Sequence, residues 1–434
     1  MNADELRMDR RRFLSAAAGV AGAAAFASWG PRALSKPGGP NAPIVFKDTL
    51  VAQHFSVRDA ITRVPSTNAN PVMGYLGGPN FPDDPTDLGP LVPLPGGYQE
   101  VFNFLAQSGY GGFEFFQYTQ NAAAPGGANP SLQQIRGWLD SAGIKSTGTH
   151  TGGLGMFNAA TGGLSTAGQQ QLATADALGH RMIGTAGDPV TGNAANTLAG
   201  WQAACDNYNR MGQLFYDTYG IKCYLHPEQN NWNFINDPAH PEVQQTHRID
   251  FWVANTDPRY VFIEPDIYHM YNARGRFPNA DGSLWDPISY LQKNWKRLVA
   301  WHVKDAVRAA TPVAPPGNPF DQVKTRPGFP LNGGQDVIYA TEGHLGNGAA
   351  AAAQPGYTPT IYGFDPGATA PSANPGLDPR VWGFRREFTE IMANRAKGFK
   401  YHIVESDSGP GPGADPGRSL RHAKISAKLL LGLK

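Results

Sequence analysis

Eight short runs rich in β-branched and aromatic residues recur between Thr49 and the C-terminus, and most are followed by a stretch with helical periodicity. This alternation constrains the chain most, because strands that alternate with helices form parallel sheets covered by those helices. The runs are Leu50–Phe55, Gly111–Phe116, Lys145–His150, Arg181–Thr185, Ile221–Leu225, Tyr260–Ile263, Leu298–Val303 and Phe399–Val404. Between them, Tyr98–Ser108 carries Val101, Phe102 and Leu105 on one face. Asn129-Pro130 offers an N-cap and first-turn proline to a helix that ends at Gly143. Asn196–Tyr219 is a long helix stopped by Gly220, and Leu164–Leu178, Pro241–Asn255, Trp285–Asn294, Pro379–Ala396 and Asp415–Leu431 complete the set.

Eight strands and their helices predict a (β/α)8 TIM barrel. A doubly wound sheet is the alternative, but no G-x-G-x-x-G or G-x-x-x-x-G-K-[ST] turn follows a strand. The 434 residues exceed the ~250 typical of a barrel. The excess falls mostly in Pro65–Gly97, Thr119–Asn129 and Val307–Asp378, where many of the 52 glycines and 37 prolines lie. Each insertion follows a strand, so these long loops belong over the C-terminal face, where a barrel presents its chemistry. The expected organisation is an export segment at 1–35, a linker at 36–48 and a barrel at 49–434, with insertions at about 65–97 and 307–378.

The N-terminal segment runs Asp9-Arg10-Arg11-Arg12-Phe13-Leu14 into a weakly apolar stretch, Ser15–Ser28, with Ala33-Leu34-Ser35 as small residues beyond it. A twin arginine in this setting resembles the twin-arginine export signal, which places the mature protein in the periplasm or outside the cell. The apolar stretch is too short and too poor in large side chains for stable membrane insertion. Cleavage near Ser35 removes five of 36 basic and three of 35 acidic residues, leaving 31 against 32. That neutral balance gives no electrostatic footprint for nucleic acid. Homo-oligomerisation is compatible with this surface. The two cysteines, Cys205 early in a helix and Cys223 on the next strand, belong at opposite ends of an α/β layer, so two buried thiols are expected rather than a disulfide.

The strand ends carry the chemistry. Strand three ends in His150, strand five in His226-Pro227-Glu228, and strand six in Glu264-Pro265-Asp266 followed by His269 and Arg274. Strand seven ends in His302-Val303-Lys304-Asp305, and strand eight in Glu405-Ser406-Asp407. One acidic residue after a strand is ordinarily a cap or turn residue. Carboxylates and imidazoles gathered at one barrel mouth need a neutralising partner, and a divalent cation supplies one.

These residues resemble the xylose-isomerase-like barrel superfamily of sugar phosphate isomerases and epimerases. The resemblance rests on S-V-R-D at Ser56–Asp59, D-I-Y-H at Asp266–His269 with Arg274-Gly275, H-V-K-D at His302–Asp305, V-E-S-D at Val404–Asp407 and the closing helix. It implies that Asp266, His302 and Glu405 coordinate a divalent metal: Mn, Mg, Co or Zn. The fourth ligand comes from strand five, where L-H-P-E at Leu225–Glu228 departs from the family's L-E-N-H or Y-H-N-H. Glu228 is the favoured ligand there, and His226 is the other candidate, as ligand or substrate contact. The resemblance implies a carbohydrate substrate whose C–H beside a carbonyl is acidified by the metal, with Glu228 and Glu405 as the acid/base pair. His150, His226 and His269 would contact sugar hydroxyls, and Arg274 or Lys304 an anionic group. Phe55 and Trp301 are candidate apolar walls, although Trp301 alternates with His302 and fits better as packing outside the barrel.

Two other functions fit the same residues. A lyase or hydrolase acting on 3-keto-glycosides would use the same proton abstraction, and export favours it because glycosides occur outside the cell. A carbohydrate-binding barrel without catalysis is the third. Replacing Arg11 and Arg12 together with lysine is expected to retain the protein in the cytoplasm. Fractionation that finds the double variant exported as before would contradict the export signal.

Overall fold

The computed structural model describes residues 45–79, 88–116, 129–151, 153–267, several positions between 269 and 285, 287–303, 305–309, 342–343, 357–359, 400–405 and 416–431. The expected export segment, most of the linker, most of the insertion at 307–378 and the expected helix at Pro379–Ala396 lie outside the described residues, as do Arg274 and Lys304.

Eight strands form one sheet: β1 (Leu50–Gln53), β2 (Gly112–Phe116), β3 (Lys145–Thr151), β4 (Met182–Ala186), β5 (Lys222–His226), β6 (Val261–Ile263), β7 (Ala300–Val303) and β8 (Tyr401–Val404). Their order is β6-β5-β4-β3-β2-β1-β8-β7, and every neighbouring pair is parallel. The two edges meet at parallel bridges between Ile263 and Leu298 and between Asp266 and His302. The His302 N–H donates to the Pro265 carbonyl at 2.9 Å across this seam. The (β/α)8 barrel is therefore the fold, and it closes at the strand ends expected to carry chemistry.

Among the described residues the helices of eight residues or more are α1 (Gly97–Ser108), α2 (Leu132–Ala142), α3 (Thr166–Leu178), α4 (Leu198–Tyr219), α5 (Arg248–Asn255), α6 (Pro287–Asn294) and α7 (Arg418–Leu431). The cap of α2 differs from expectation. Ser131, not Asn129, accepts from the Gln134 N–H, while Gln134 Oε1 accepts from the Ser131 N–H at 2.8 Å. This reciprocal pair satisfies two helix-end donors and sets the start two residues later. Gly220 closes α4 as expected, in the left-handed conformation at φ 69°. The expected helix at Pro241–Asn255 divides into a 3-10 turn, Pro241–Val243, and α5. Within the first insertion, Met73–Tyr75 and Leu91–Pro93 pair as short antiparallel strands. Among the described residues, no helix is long and apolar enough to cross a membrane.

Alternation along the strands divides the core in two. Phe113, Phe115, Cys223, Leu225, Trp301 and Val303 pack outward in the layer beneath the helices. Val51, Met182, Tyr224, Phe262, Val299, Ala300 and Ile403 form a smaller cluster within the barrel. Both cysteines are free and buried. Trp301 is fully buried in the outer layer, where its indole N–H donates to His402 Nδ1 at 2.7 Å. It is a packing residue and not a wall of the site.

Tyr224 enters the barrel because Gly184 on β4 has no side chain. A Cβ there would lie 2.1 Å from the Tyr224 ring. Tyr224 is fully buried, so nothing at its far end can swing into solvent. Gly184→Ala is expected to lower stability by about 1–3 kcal/mol through overpacking, as measured by denaturant unfolding. An unchanged midpoint would show that the ring moves freely.

Candidate metal centre

The C-terminal half of the barrel interior is polar. The same period-two alternation that turns Phe113 and Phe115 outward turns Glu114 inward. On β5 it turns Tyr224 and His226 inward, and on β7 it does so for His302. Glu264 and Asp266, two residues apart, follow β6, and Glu405 follows β8. All of these residues are buried, with Glu114, Glu264, Asp266 and His302 at 0 % exposure and Glu405 at 8 %.

His302 is the hub. Its Nδ1 lies 2.7 Å from Glu405 Oε2, and its Nε2 lies 3.0 Å from Glu114 Oε2 and 3.3 Å from Glu264 Oε2. His150 Nε2 lies 2.8 Å from Glu264 Oε2 and 3.4 Å from Glu114 Oε2. His226 lies between two carboxylates, with Nδ1 3.5 Å from Glu264 Oε2 and Nε2 3.9 Å from Asp266 Oδ2. The Tyr224 hydroxyl donates to Glu114 Oε1 at 2.9 Å, and the Gln53 amide donates to Glu114 Oε2 at 3.2 Å.

Charges are sorted by this arrangement. Burial alone would lower the His302 pKa, but Glu405 and Glu264 outweigh it and hold the imidazole well above its ordinary value. His150 is also raised, against its burial, by Glu114 and Glu264. Burial would raise Glu264, yet His302, His150 and His226 hold it well below the usual carboxylate range. Glu114 shifts the opposite way, raised by burial and by the Glu264 charge. His226 is lowered to about 4 by burial and by His302, which leaves it neutral with a lone pair to give. In effect a protonated His302 fills the place of a cation among carboxylates.

The structure brings together His150, His226, Asp266, His302 and Glu405 from the expected residues. Their ligand atoms fall into two overlapping sets, each within 4.8 Å: His150, His226, Glu264 and His302, and His226, Asp266, His302 and Glu405. Glu228 joins neither set. The β5 ladder ends at His226, Pro227 follows without an N–H, and Glu228 is half-buried at the entry to the 3-10 turn Gln229–Trp232. His226 therefore occupies the strand-five position that Glu228 was expected to take. His269 is half-buried, with Nε2 3.9 Å from Asp266 Oδ2. Phe55 lies against Phe116 at 5.4 Å, and Phe116 against His150 at 6.0 Å, so this aromatic pair borders the group.

Glu114, Tyr224 and Gln53 lie inside the runs that read as strands, where no polar break at a strand end marks them. The available signal was Phe113-Glu114-Phe115, where a single carboxylate alternates with apolar residues in a strand buried on both faces. The donor set fits a divalent cation. His226 Nδ1 and Glu264 Oε1 are buried and make no hydrogen bond. Imidazole nitrogens and carboxylate oxygens at this spacing are ordinary ligands for such an ion.

Sequence comparison agrees with the barrel fold. Residues 102–327, just over half of the chain, match the xylose isomerase-like TIM barrel family, and the chain belongs to that family. A search of the curated proteins finds no match. Among solved structures, a sugar phosphate isomerase/epimerase from Parabacteroides distasonis ATCC 8503 is 15% identical, with a TM-score of 0.48, over 89% of this chain and 96% of that one. A xylose isomerase domain-containing protein from Salmonella typhimurium LT2 is 9% identical, with a TM-score of 0.46, over 89% and 98%. A 3-keto-D-glucoside 4-epimerase from E. coli is 15% identical, with a TM-score of 0.39, over 76% and 94%. At this level the likeness is to the barrel and not to an activity.

Metal ligands must be deprotonated, and His150 and His302 have raised pKa values, so cation uptake has to displace protons. Affinity is expected to rise with pH and to level off only once the pH passes those raised values. Calorimetry in two buffers of different ionisation enthalpy reads the protons directly. Metal uptake at neutral pH that releases no protons would contradict the assigned charges.

Proposed function

We propose that the protein is a divalent-metal-dependent isomerase or epimerase that moves a proton at the carbon beside a sugar carbonyl. The observation that carries this reading is the convergence of His226, Asp266, His302 and Glu405 where the barrel closes. His226 and His302, common to both donor sets, are the imidazoles that would hold the cation. When bound, such an ion draws electron density from a carbonyl and its neighbouring hydroxyl and makes the C–H between them more acidic.

The chain's own groups do the rest. Glu405 adjoins His302 and is more exposed than Glu114 or Glu264, which suits it to remove the proton. His302 holds the Glu405 carboxylate in place through its Nδ1 contact of 2.7 Å. Transfer between adjacent carbons on one face needs only this base. Inversion at one carbon needs a second group opposite, and Asp266, His269 and Glu228 are the candidates. Phe55 and Phe116 supply an apolar border that limits water near the reacting carbon. Export by the twin-arginine route would place this chemistry among extracellular carbohydrates.

Deuterium from solvent is expected to enter a free ketose or a 3-keto-glycoside at the carbon beside the carbonyl. Glu405→Gln should slow this by about 10²–10⁴-fold, while native circular dichroism is retained. Aglycone release from the 3-keto-glycoside would assign the same base to a lyase. A metal-loaded protein that binds sugars without exchange or cleavage would leave a binding barrel.

A further inference from the structure

We infer that the barrel holds its cation at the inner donor set, His150, His226, Glu264 and His302, as a three-imidazole, one-carboxylate site. This deepens the proposed function, on which it rests for the presence of a cation, and it differs from the outer set of Asp266 and Glu405 that the resemblance implies.

The geometry centres on Glu264 Oε2. Its distances to His150 Nε2, His302 Nε2 and His226 Nδ1 are 2.8, 3.3 and 3.5 Å. Four ligands at 2.0–2.2 Å from a tetrahedral zinc-type ion are about 3.3–3.5 Å from one another. The three ring centroids lie 4.2, 4.8 and 5.0 Å from one another, and the rings of His150 and His302 are nearly parallel. By contrast, the contacts of the outer set are uneven, at 2.7 Å between His302 and Glu405 and 3.9 Å between His226 and Asp266.

A second observation concerns the inner set itself. His226 Nδ1 and Glu264 Oε1 are fully buried and make no hydrogen bond. His226 Nδ1 belongs to the face that looks inward toward Glu264, so a buried lone pair is directed into the inner set.

A neutral imidazole gives its lone pair to one ion. Inner placement therefore takes His226 Nδ1 and His302 Nε2, and leaves Asp266 and Glu405 as two unligated carboxylates at the mouth. Three imidazoles also select the metal class, favouring zinc, cobalt or ferrous ions over magnesium, which prefers oxygen ligands. A four-ligand set of this kind ties β3, β5 and β7 to the segment after β6.

The test is metal analysis of the chelator-stripped protein reloaded with ZnCl2, CoCl2 or MgCl2. We expect one equivalent of zinc or cobalt, a four-coordinate cobalt absorption spectrum, and little magnesium. His150→Gln and Glu264→Gln should each weaken zinc binding by more than about 100-fold, beyond the 10–100-fold of outer-shell substitutions. Asp266→Asn and Glu405→Gln should stay within about tenfold of the parent. The reverse pattern would overturn the inner site while leaving the proposed function intact. Loss in all four variants with native circular dichroism would also overturn it, and a parent chain that takes up no metal would sink both. His150→Asn stands in if His150→Gln does not fold.

Discussion

An imidazole with a carboxylate against each nitrogen is the interaction on which the rest of this barrel depends. His302 reaches Glu405 on one side and Glu114 and Glu264 on the other, all within 3.3 Å. Taking a carboxylate out of water costs several kcal/mol even after relaxation, and removing one partner of a buried pair costs about 3–5 kcal/mol. Four carboxylates inside one barrel are therefore tolerable only while histidines or a cation stand between them. The inward glycine at Gly184 and the phenol of Tyr224 serve the same end, since Tyr224 donates to the fully buried Glu114.

The fold was largely legible because each strand is bounded by a change of hydrophobic period. Strand starts differ by one or two residues from those expected, as at Arg181 against Met182 and Leu298 against Ala300. The helix expected from Pro241 shows the limit of periodicity. Pro241 is compatible with a helical first turn, but the chain there makes a 3-10 turn, and α5 begins only at Arg248.

The site was legible where a polar side chain ends a strand. Asp266, His302 and Glu405 stand out because the apolar run stops at them. Glu114 and Tyr224 lie within their runs, and only the tertiary closure of the barrel sets them opposite His302. The strand-five residue turned on backbone chemistry. Pro227 ends the ladder, so alternation cannot be carried past His226 to Glu228.

The seam between β6 and β7 has a mechanical consequence. It is stitched by two backbone bridges, one of which joins Asp266 to His302. Any ion gripping His302 together with Glu264 or Asp266 would act as a clasp on that hoop, fastening from the side chains what the backbone fastens at only two points. Loading and closure then become a single linked equilibrium, in which the ligand contributes to holding the ring shut in proportion to its affinity. The weakest join in the barrel is thus also the place where its chemistry is assembled.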